Sequence, residues 1–459
     1  MDRSEPGDKP GYEGYMNERV LSLPELMRDG GYYTFMAGKW HLGMEPSQGP
    51  QARGFIDSFA MLPGAGGHYD QTGINPKLPV IPYSENGRAV TLPKDFYSTS
   101  YYTDRAIEYI DKSLQAPEQP FFGYVAYTAP HWPLQVDSRY SDKYRGKYSK
   151  GYSALKAERL ERMRDKGIVQ AGVKFNSGSG CNEPWDELSS AERRRQEHSM
   201  ELYAGMVDAL DEHIGRLIAH LKAVGVYENS LIVFISDNGA DARPERGMGE
   251  ESEFLDANFD NRFENMGTST SFVSYGAAWA EVGSAPFRLH KGMTTEGGIR
   301  VPAIIRLPGS EERGVVKRDF ASVLDILPTF LDAAGIPDPD KIAVDRGVFP
   351  PVGKSMMAYL QNQTERLQHD EPYGFSVHRR QGLQFNQWKI VRLPIPYGDE
   401  SWELYDLDAD PGETTNLSAT MPEKTAEMVA RWNEFAATTG IVIAERASRV
   451  PAECARAGS

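Results

Sequence analysis

Four short stretches of this chain bring together residue types that could do hydrolytic chemistry. Asp237 and Asn238 directly follow the apolar run Leu231-Ile232-Val233-Phe234-Ile235-Ser236. A carboxylate beside an amide oxygen suits a hard divalent cation such as Ca²⁺ or Mg²⁺. Asp-Asn-Gly is also a favoured turn tripeptide, and on these residues alone both readings stand. Lys39 and His41 lie in Gly38-Lys39-Trp40-His41-Leu42-Gly43. In extended backbone, residues i and i+2 project to the same side, so an ammonium and an imidazole there make an anion-binding face. The alternative is an edge lysine and a structural histidine. His131 lies between Pro130 and Pro133, which fix the backbone around it. It is a candidate for proton transfer, although a lone histidine is often structural. His290 and Lys291 precede the pair Gly297-Gly298, where backbone can approach closely. The plainer reading of Lys291 is an exposed lysine before a turn.

These residues must be positioned by regular elements. Ser22 and Glu25 have capping-box spacing, and Leu23, Leu26 and Met27 follow as an apolar stripe that stops at Gly30. Tyr32–Ala37 reads as a strand leading to Lys39. Residues 45–96 read as loops, and Tyr102, Ala106, Ile107 and Ile110 mark an amphipathic helix. The runs at 120–127 and 231–235 are continuously apolar, which suits strands buried on both faces of a mostly parallel sheet. Residues 136–190 read as a polar insertion, and 190–224 as a long helix with one apolar face. Residues 240–290 read as a long loop excursion, and Val301–Leu307 as another strand. Lys39, His131 and Asp237 each fall just after a predicted strand. In open α/β sheets ligands bind at those carboxyl ends.

After Pro337 the texture changes to short alternating strands and a helix near 420–435. The division expected is a main domain over 1–340, with its insertion near 136–190, and a sheet-plus-helix unit with its tail over 341–459. Buried strands alternating with helices predict an α/β fold with a doubly wound, mostly parallel sheet, and the last unit adds a small antiparallel sheet.

Composition excludes several functions. A net charge of −15 offers no basic footprint for nucleic acid. No apolar run reaches the ~18–20 residues of a membrane span. The acidic, polar start at Met1-Asp2-Arg3 is not a signal peptide, so the expected location is cytoplasmic. The two cysteines, Cys181 and Cys454, match no zinc spacing and read as unpaired thiols.

Three segments carry a family resemblance: 30–43 through Gly38-Lys39-Trp40-His41, Ser236-Asp237-Asn238-Gly239, and 290–302 from His290-Lys291 to Val301-Pro302. Together they resemble the sulfatases of the alkaline-phosphatase superfamily. Gly11-Tyr12-Glu13-Gly14-Tyr15, Asp260-Asn261-Arg262 and Trp279-Ala280 look closest to the bacterial arylsulfatases. The likeness runs from about Gly11 to Gly440. It implies that Asp237 and Asn238 supply two of four protein ligands to calcium or magnesium, and that Lys39 contacts the ester. It further implies that His41 hydrogen-bonds the nucleophile's diol, that His131 protonates the leaving oxygen, and that Lys291 bridges nucleophile and sulfate oxygens. His290, beside Lys291, is taken as substrate-binding.

The resemblance also implies an N-terminal strand with an Asp-Asp metal pair and a Cys-x-Pro-x-Arg motif whose cysteine becomes formylglycine. Neither occurs in these 459 residues. The expectation is therefore a truncated sulfatase fold lacking its first strand, with no formylglycine and with metal binding weakened by two lost ligands. Its expected activity is promiscuous hydrolysis of activated phosphoesters, triesters or diesters, by water or metal-bound hydroxide. Its expected partners are small sulfate or phosphate esters, without nucleic acid or membrane. A bared strand edge predicts a homo-oligomer. The alternatives are a non-catalytic remnant, or a fragment of a full-length arylsulfatase.

Overall fold

The computed structural model describes residues 9–245, 250–337, 339–367 and 369–443. Helix α1 (Leu23–Asp29) opens with the Ser22–Glu25 capping box, both halves of which form. Strand β1 (Tyr33–Lys39) is buried along nearly its whole length. Strand β2 (Asp57–Met61) runs parallel to it, with Phe35 opposite Asp57 and Lys39 opposite Met61. Strands β3 (Thr72–Asn75) and β4 (Leu78–Val80) form a separate ribbon. Strands β5 (Tyr83–Glu85) and β6 (Arg88–Ala89) extend the main sheet beyond β2 in antiparallel fashion.

Helix α2 (Ser98–Ser113) then leads to β7 (Phe121–Ala126), which lies parallel to β1 with Gly38 opposite Ala126. The sheet order is β6-β5-β2-β1-β7. The two short helices α3 (Ser138–Ser141) and α4 (Gly151–Asp165) precede the long α5 (Ser190–Ala223). The capping box Ser189–Glu192 starts α5, and Gly225, at φ 80°, follows its end. Strand β8 (Ile232–Ile235) follows, then α6 (Glu250–Asn258), α7 (Gly276–Ser284), α8 (Glu296–Ile299) and β9 (Ala303–Arg306). β8 and β9 form an antiparallel pair apart from the main sheet. Helices α9 (Ile326–Ala334), α10 (Pro339–Arg346) and α11 (Met357–Leu360) follow. The chain then forms an antiparallel sheet of β10 (Tyr373–Val377), β11 (Arg380–Phe385), β12 (Trp388–Arg392) and β13 (Trp402–Asp406). Helix α12 (Pro422–Thr439) packs on this sheet through Met428 and Trp432.

The main sheet is wound on both faces. Phe35 and Ala37 of β1 pack with α2 residues Tyr102, Ala106 and Ile110 on one side. Met36 packs with Leu26 and Met27 of α1 and Leu331 of α9 on the other. The alternation along β1 is the period of two that a strand imposes. This is the expected α/β fold with a small antiparallel sheet and helix appended.

Several local expectations are corrected. The stretch 45–96 holds a central strand, β2, that its sequence hid behind polar residues. Asp57 is tolerated in that buried strand because Lys112 Nζ reaches its Oδ2 at 2.6 Å and the Tyr33 hydroxyl also donates to it. Burial raises the Asp57 carboxyl, but these donors hold it below its usual range. The polar stretch 136–190 contains α3 and α4, and the excursion 240–290 contains α6 and α7. Trp279 of α7 is 1% exposed in a core with Met206 and Ala209 of α5, so the excursion is largely packed. Cys181 is disulfide-bonded and not the expected unpaired thiol. Cys454 lies outside the described residues.

The sharpest departure concerns the two apolar strands. β7 and β8 are not buried on both faces: Tyr124 is 47%, Phe234 40% and Ile235 37% exposed. They do not pair with each other. Both line one cavity of about 2670 Å³, which also reaches Lys39, His131, Asp237 and Lys291.

Candidate active site

Lys39 is the last residue of β1, and its side chain enters the cavity at the carboxyl end of the sheet. Gly38 makes this approach possible. It sits at φ 127°, and a Cβ there would stand 2.1 Å from the carbonyl oxygen of Ala126. Burial lowers the pKa of Lys39, with Asp237 and Asp241 opposing that shift and Lys291 adding to it. His41 lies beyond the strand at φ 53°, so it does not follow the i, i+2 rule that joined it to Lys39. Its ring rests on Gly64, where a Cβ would come within 2.6 Å. It still lines the same cavity as Lys39.

His131 follows β7 in a turn. Its Nδ1–H donates to the Trp132 carbonyl at 2.8 Å. A carbonyl can only accept, so the proton sits on Nδ1 and Nε2 carries the lone pair. Lys291 Nζ donates to that Nε2 at 3.3 Å. Burial and the neighbouring Lys291 charge hold the imidazole well below its ordinary pKa, against the pull of Asp241. His131 is therefore neutral at neutral pH, with a basic nitrogen turned toward the cations.

Asp241 is the residue that sequence reading missed. Its Oδ2 lies 2.8 Å from Lys291 Nζ and 3.7 Å from His131 Nε2. Burial raises its carboxyl, but Lys291 and His131 hold it below its ordinary range. The signal was available as a second carboxylate four residues after Asp237. The loop that carries both is clamped from outside. Gly239 N–H donates to Gly298 O at 3.0 Å, and Lys291 N–H to Ala240 O at 2.9 Å. A Cβ on Gly239 would meet Gly297 O at 1.9 Å, and one on Gly297 would meet the carbonyl oxygens of Leu289 and Arg288 at 2.2 and 2.3 Å.

His290 does not line the cavity. It is 4% exposed, its Nδ1–H donates to the Lys291 carbonyl at 3.1 Å, and its ring stands edge-on to Tyr397. The loop of Lys291 is anchored by a buried ion cluster also unforeseen. Lys389 of β12 reaches Glu296 at 2.7 Å and Glu413 at 3.0 Å, and Lys389 is fully buried.

Asp237 and Asn238 stand together after β8 and line the cavity. Among the described residues no group of three or more His, Cys, Asp or Glu could hold a metal ion. A calcium ion takes about six to eight oxygens, and this pair supplies two oxygen-bearing side chains. Asp237 interacts electrostatically with Lys39. The donors present do not make a hard-cation site by themselves.

The arrangement as a whole is two ammonium groups, a neutral imidazole and two carboxylates at the mouth of an apolar cavity. It can bind an ester of an oxyacid and move a proton at His131 Nε2.

A sulfatase family model matches residues 4–336, and a model for the C-terminal region of N-sulphoglucosamine sulphohydrolase matches residues 288–436. An uncharacterized sulfatase of Schizosaccharomyces pombe is 39% identical over 447 residues, covering 95% of this chain and 80% of that protein. An arylsulfatase of Klebsiella aerogenes is 36% identical over 360 residues, covering 76% of this chain and 75% of that protein. The crystal structure of Ps i-CgsB in complex with k-i-k-neocarrahexaose superposes with a TM-score of 0.60 at 23% identity, covering 91% of this chain and 76% of that one. That likeness is one of fold. The family match and the two relatives together establish that this chain belongs to the sulfatase family.

Proposed function

We propose that these 459 residues hydrolyse activated phosphoesters, triesters and diesters ahead of monoesters, with little turnover of aryl sulfates. The observation that carries this reading is the neutral His131, its Nε2 turned toward Lys291, with Lys39 at the same cavity. A water molecule attacks phosphorus while His131 Nε2 accepts its proton. The new P–O bond forms as the P–O bond to the aryl group breaks, and the aryloxide departs with the electron pair. Lys39 and Lys291 stabilise the charge that develops on the non-bridging oxygen. Returning the His131 proton to the aryloxide or to solvent resets the site, and the products are a phosphodiester and a phenol. A good aryl leaving group needs little acid assistance, which suits a histidine that rests unprotonated. A dianionic monoester asks for more positive charge than two lysines paired near Asp237 and Asp241 provide.

Aryl sulfate turnover is expected to be low because neither Cys181 nor Cys454 lies in a Cys-x-Pro-x-Arg context. Self-association belongs to the same reading. Exposed apolar residues such as Ile304 at 65% and Val323 at 67% are surfaces that a second copy would cover. Light scattering at micromolar concentration tests this, and a single-chain mass of 51.2 kDa would remove it.

The activity test is a panel of p-nitrophenyl sulfate, phosphate monoester, diester and triester. It is run on the unmodified chain and on Lys39→Ala, His131→Ala, Asp237→Ala and Lys291→Ala. Triester turnover that falls in the lysine and His131 variants supports the proposal. Turnover equal in all four variants places the activity elsewhere, and sulfate as the best substrate refutes it.

A further inference from the structure

His68 is fully buried in the loop between β2 and β3 and has no part in the chemistry described so far. Its ring meets two groups. Nε2 lies 3.0 Å from the His131 carbonyl oxygen, and Nδ1 lies 2.8 Å from Ser98 Oγ. A carbonyl only accepts, so the His68 proton sits on Nε2 and is donated to it. Nδ1 then accepts from the Ser98 hydroxyl. Burial pushes the pKa of His68 down to about 4, against the raising effect of the bond to the His131 carbonyl. The ring is therefore neutral at neutral pH, and each nitrogen has the partner that this tautomer needs.

The surroundings hold that ring in place. Ser98 is the first residue of α2, and its N–H donates to the His68 carbonyl at 2.8 Å. His68 N–H donates to Gln135 Oε1 at 2.8 Å, and Gln135 Nε2 donates to the Ser271 carbonyl at 2.9 Å. The same loop touches the other cavity histidine, since a Cβ on Gly64 would stand 2.6 Å from the His41 ring. His131 is gripped through its main chain as a result. Its N–H donates to the Thr128 carbonyl at 3.0 Å, and its carbonyl accepts from His68. Its ring Nδ1–H donates to the Trp132 carbonyl at 2.8 Å. The peptide between His131 and Trp132 joins the last two bonds. Turning that peptide would release His68 and shift the Trp132 carbonyl away from Nδ1.

We propose that His68 is a positioning residue for His131: its Nε2–H fixes the peptide that follows His131, and through the Trp132 carbonyl it keeps the His131 proton on Nδ1 and the Nε2 lone pair toward Lys291. This role rests on the reading of His131 as the base that accepts a proton from water. His68 does not line the cavity, so it acts only through His131. A donor and an acceptor buried this deeply keep each other, because water cannot replace either partner. The bond is thus a fixed point from which the His131 ring is aimed. The aim matters for rate, since misplacing a catalytic group by about 1 Å can cost about 10²-fold.

The test compares the full chain with His68→Asn and His68→Gln. The amide introduced by His68→Gln stands where Nε2 does, and the shorter one of His68→Asn does not reach the His131 carbonyl. Two quantities are read: kcat and KM for a p-nitrophenyl phosphotriester, and the ring tautomers at neutral pH from nitrogen spectra of histidine-labelled protein. The unmodified chain should show His131 protonated on Nδ1 and His68 on Nε2. His68→Asn should lower kcat about 10–100-fold with KM little changed, and should mix the two His131 tautomers. His68→Gln should recover most of kcat and the single tautomer. Variants that lower Tm but leave the His131 tautomer single would make His68 merely structural and overturn the proposal. Full kcat in His68→Asn, where His131→Ala is inactive, would overturn it while the hydrolytic reading stands. Failure of that reading looks different: triester turnover is then equal with and without His131, and the tautomers in the two His68 variants decide alone. Should His68→Asn fail to fold, the unmodified chain and His68→Gln carry the test. His68 protonated on Nδ1 in the first, or mixed His131 tautomers in the second, would overturn the proposal.

Discussion

At the scale of single residues, the proton position on His131 governs the chemistry. Burial and Lys291 hold its folded pKa below the ordinary imidazole value of about 6.5. As a base it must be unprotonated, so the acid limb of triester turnover should lie below about pH 6.5. Lys291→Met removes a charge that depresses this pKa, and the limb should move upward, as read in a pH profile of kcat. The same group links to stability. Because its pKa is lowered on folding, the unfolded chain takes up this proton first. Stability should therefore fall as pH drops from about 6.5 toward the folded value. Melting curves from pH 8 to 5 should show a shallower decline for His131→Gln. A pH-independent Tm in the unmodified chain would contradict the burial argument. Lys39→Ala should lower triester turnover by about 10²-fold, by analogy with loss of an oxyanion donor.

At the scale of elements, two joints hold the site. The first is β1 against β7 at Gly38. Gly38→Ala places a Cβ on the Ala126 carbonyl in a backbone conformation that L residues avoid, so it should cost about 1–3 kcal/mol in denaturant unfolding. The loss should exceed that of Gly31→Ala, where φ is also positive but no atom stands within 4 Å. The second joint ties β12 to the loop of Lys291 through Lys389, Glu296 and Glu413. Lys389→Met leaves Glu413 buried without its cation and Glu296 with Arg300 alone, and should cost about 3–5 kcal/mol. Adding Glu296→Gln and Glu413→Gln should recover part of that loss, as measured by urea melts of the single and triple variants. A triple variant no more stable than Lys389→Met would show that packing, and not charge, is what Lys389 supplies. Neither joint announces itself in the sequence: Lys389 reads as an exposed position of an alternating strand, and only the packing of β12 onto α8 buries it.

At the scale of the whole molecule, the disulfide at Cys181 bears on where the chain resides. Reducing compartments keep thiols reduced, so a bonded Cys181 fits poorly with the expected cytoplasmic location. Alkylation of denatured protein, with and without reductant, should modify Cys181 only after reduction. Modification without reductant would restore the thiol reading. Among the described residues no helix is long and apolar enough to cross a membrane. The cavity lined by β7 and β8 is the other property of the molecule as a whole. It lies between the five-stranded main sheet and the two-stranded sheet of β8 and β9.

Much of this protein could be read from its residues alone. Capping boxes at Ser22 and Ser189, the apolar run of β7 and the long face of α5 are local signals, set by side-chain period and backbone chemistry within a few residues. Lys39, His131 and Asp237 could be grouped because each follows such a strand, and the carboxyl ends of a parallel sheet converge. What only the tertiary structure decided involves partners far apart in the chain. The burial of Asp57 depends on Lys112, the neutral state of His131 on Lys291, and the depth of Lys389 on Glu296 and Glu413. The exposure of β7 and β8 is the plainest case. Their sequences specify strands covered on both sides, because apolar surface and unpaired backbone are costly in water. Which strand lies beside them is a property of chain packing that no local pattern encodes.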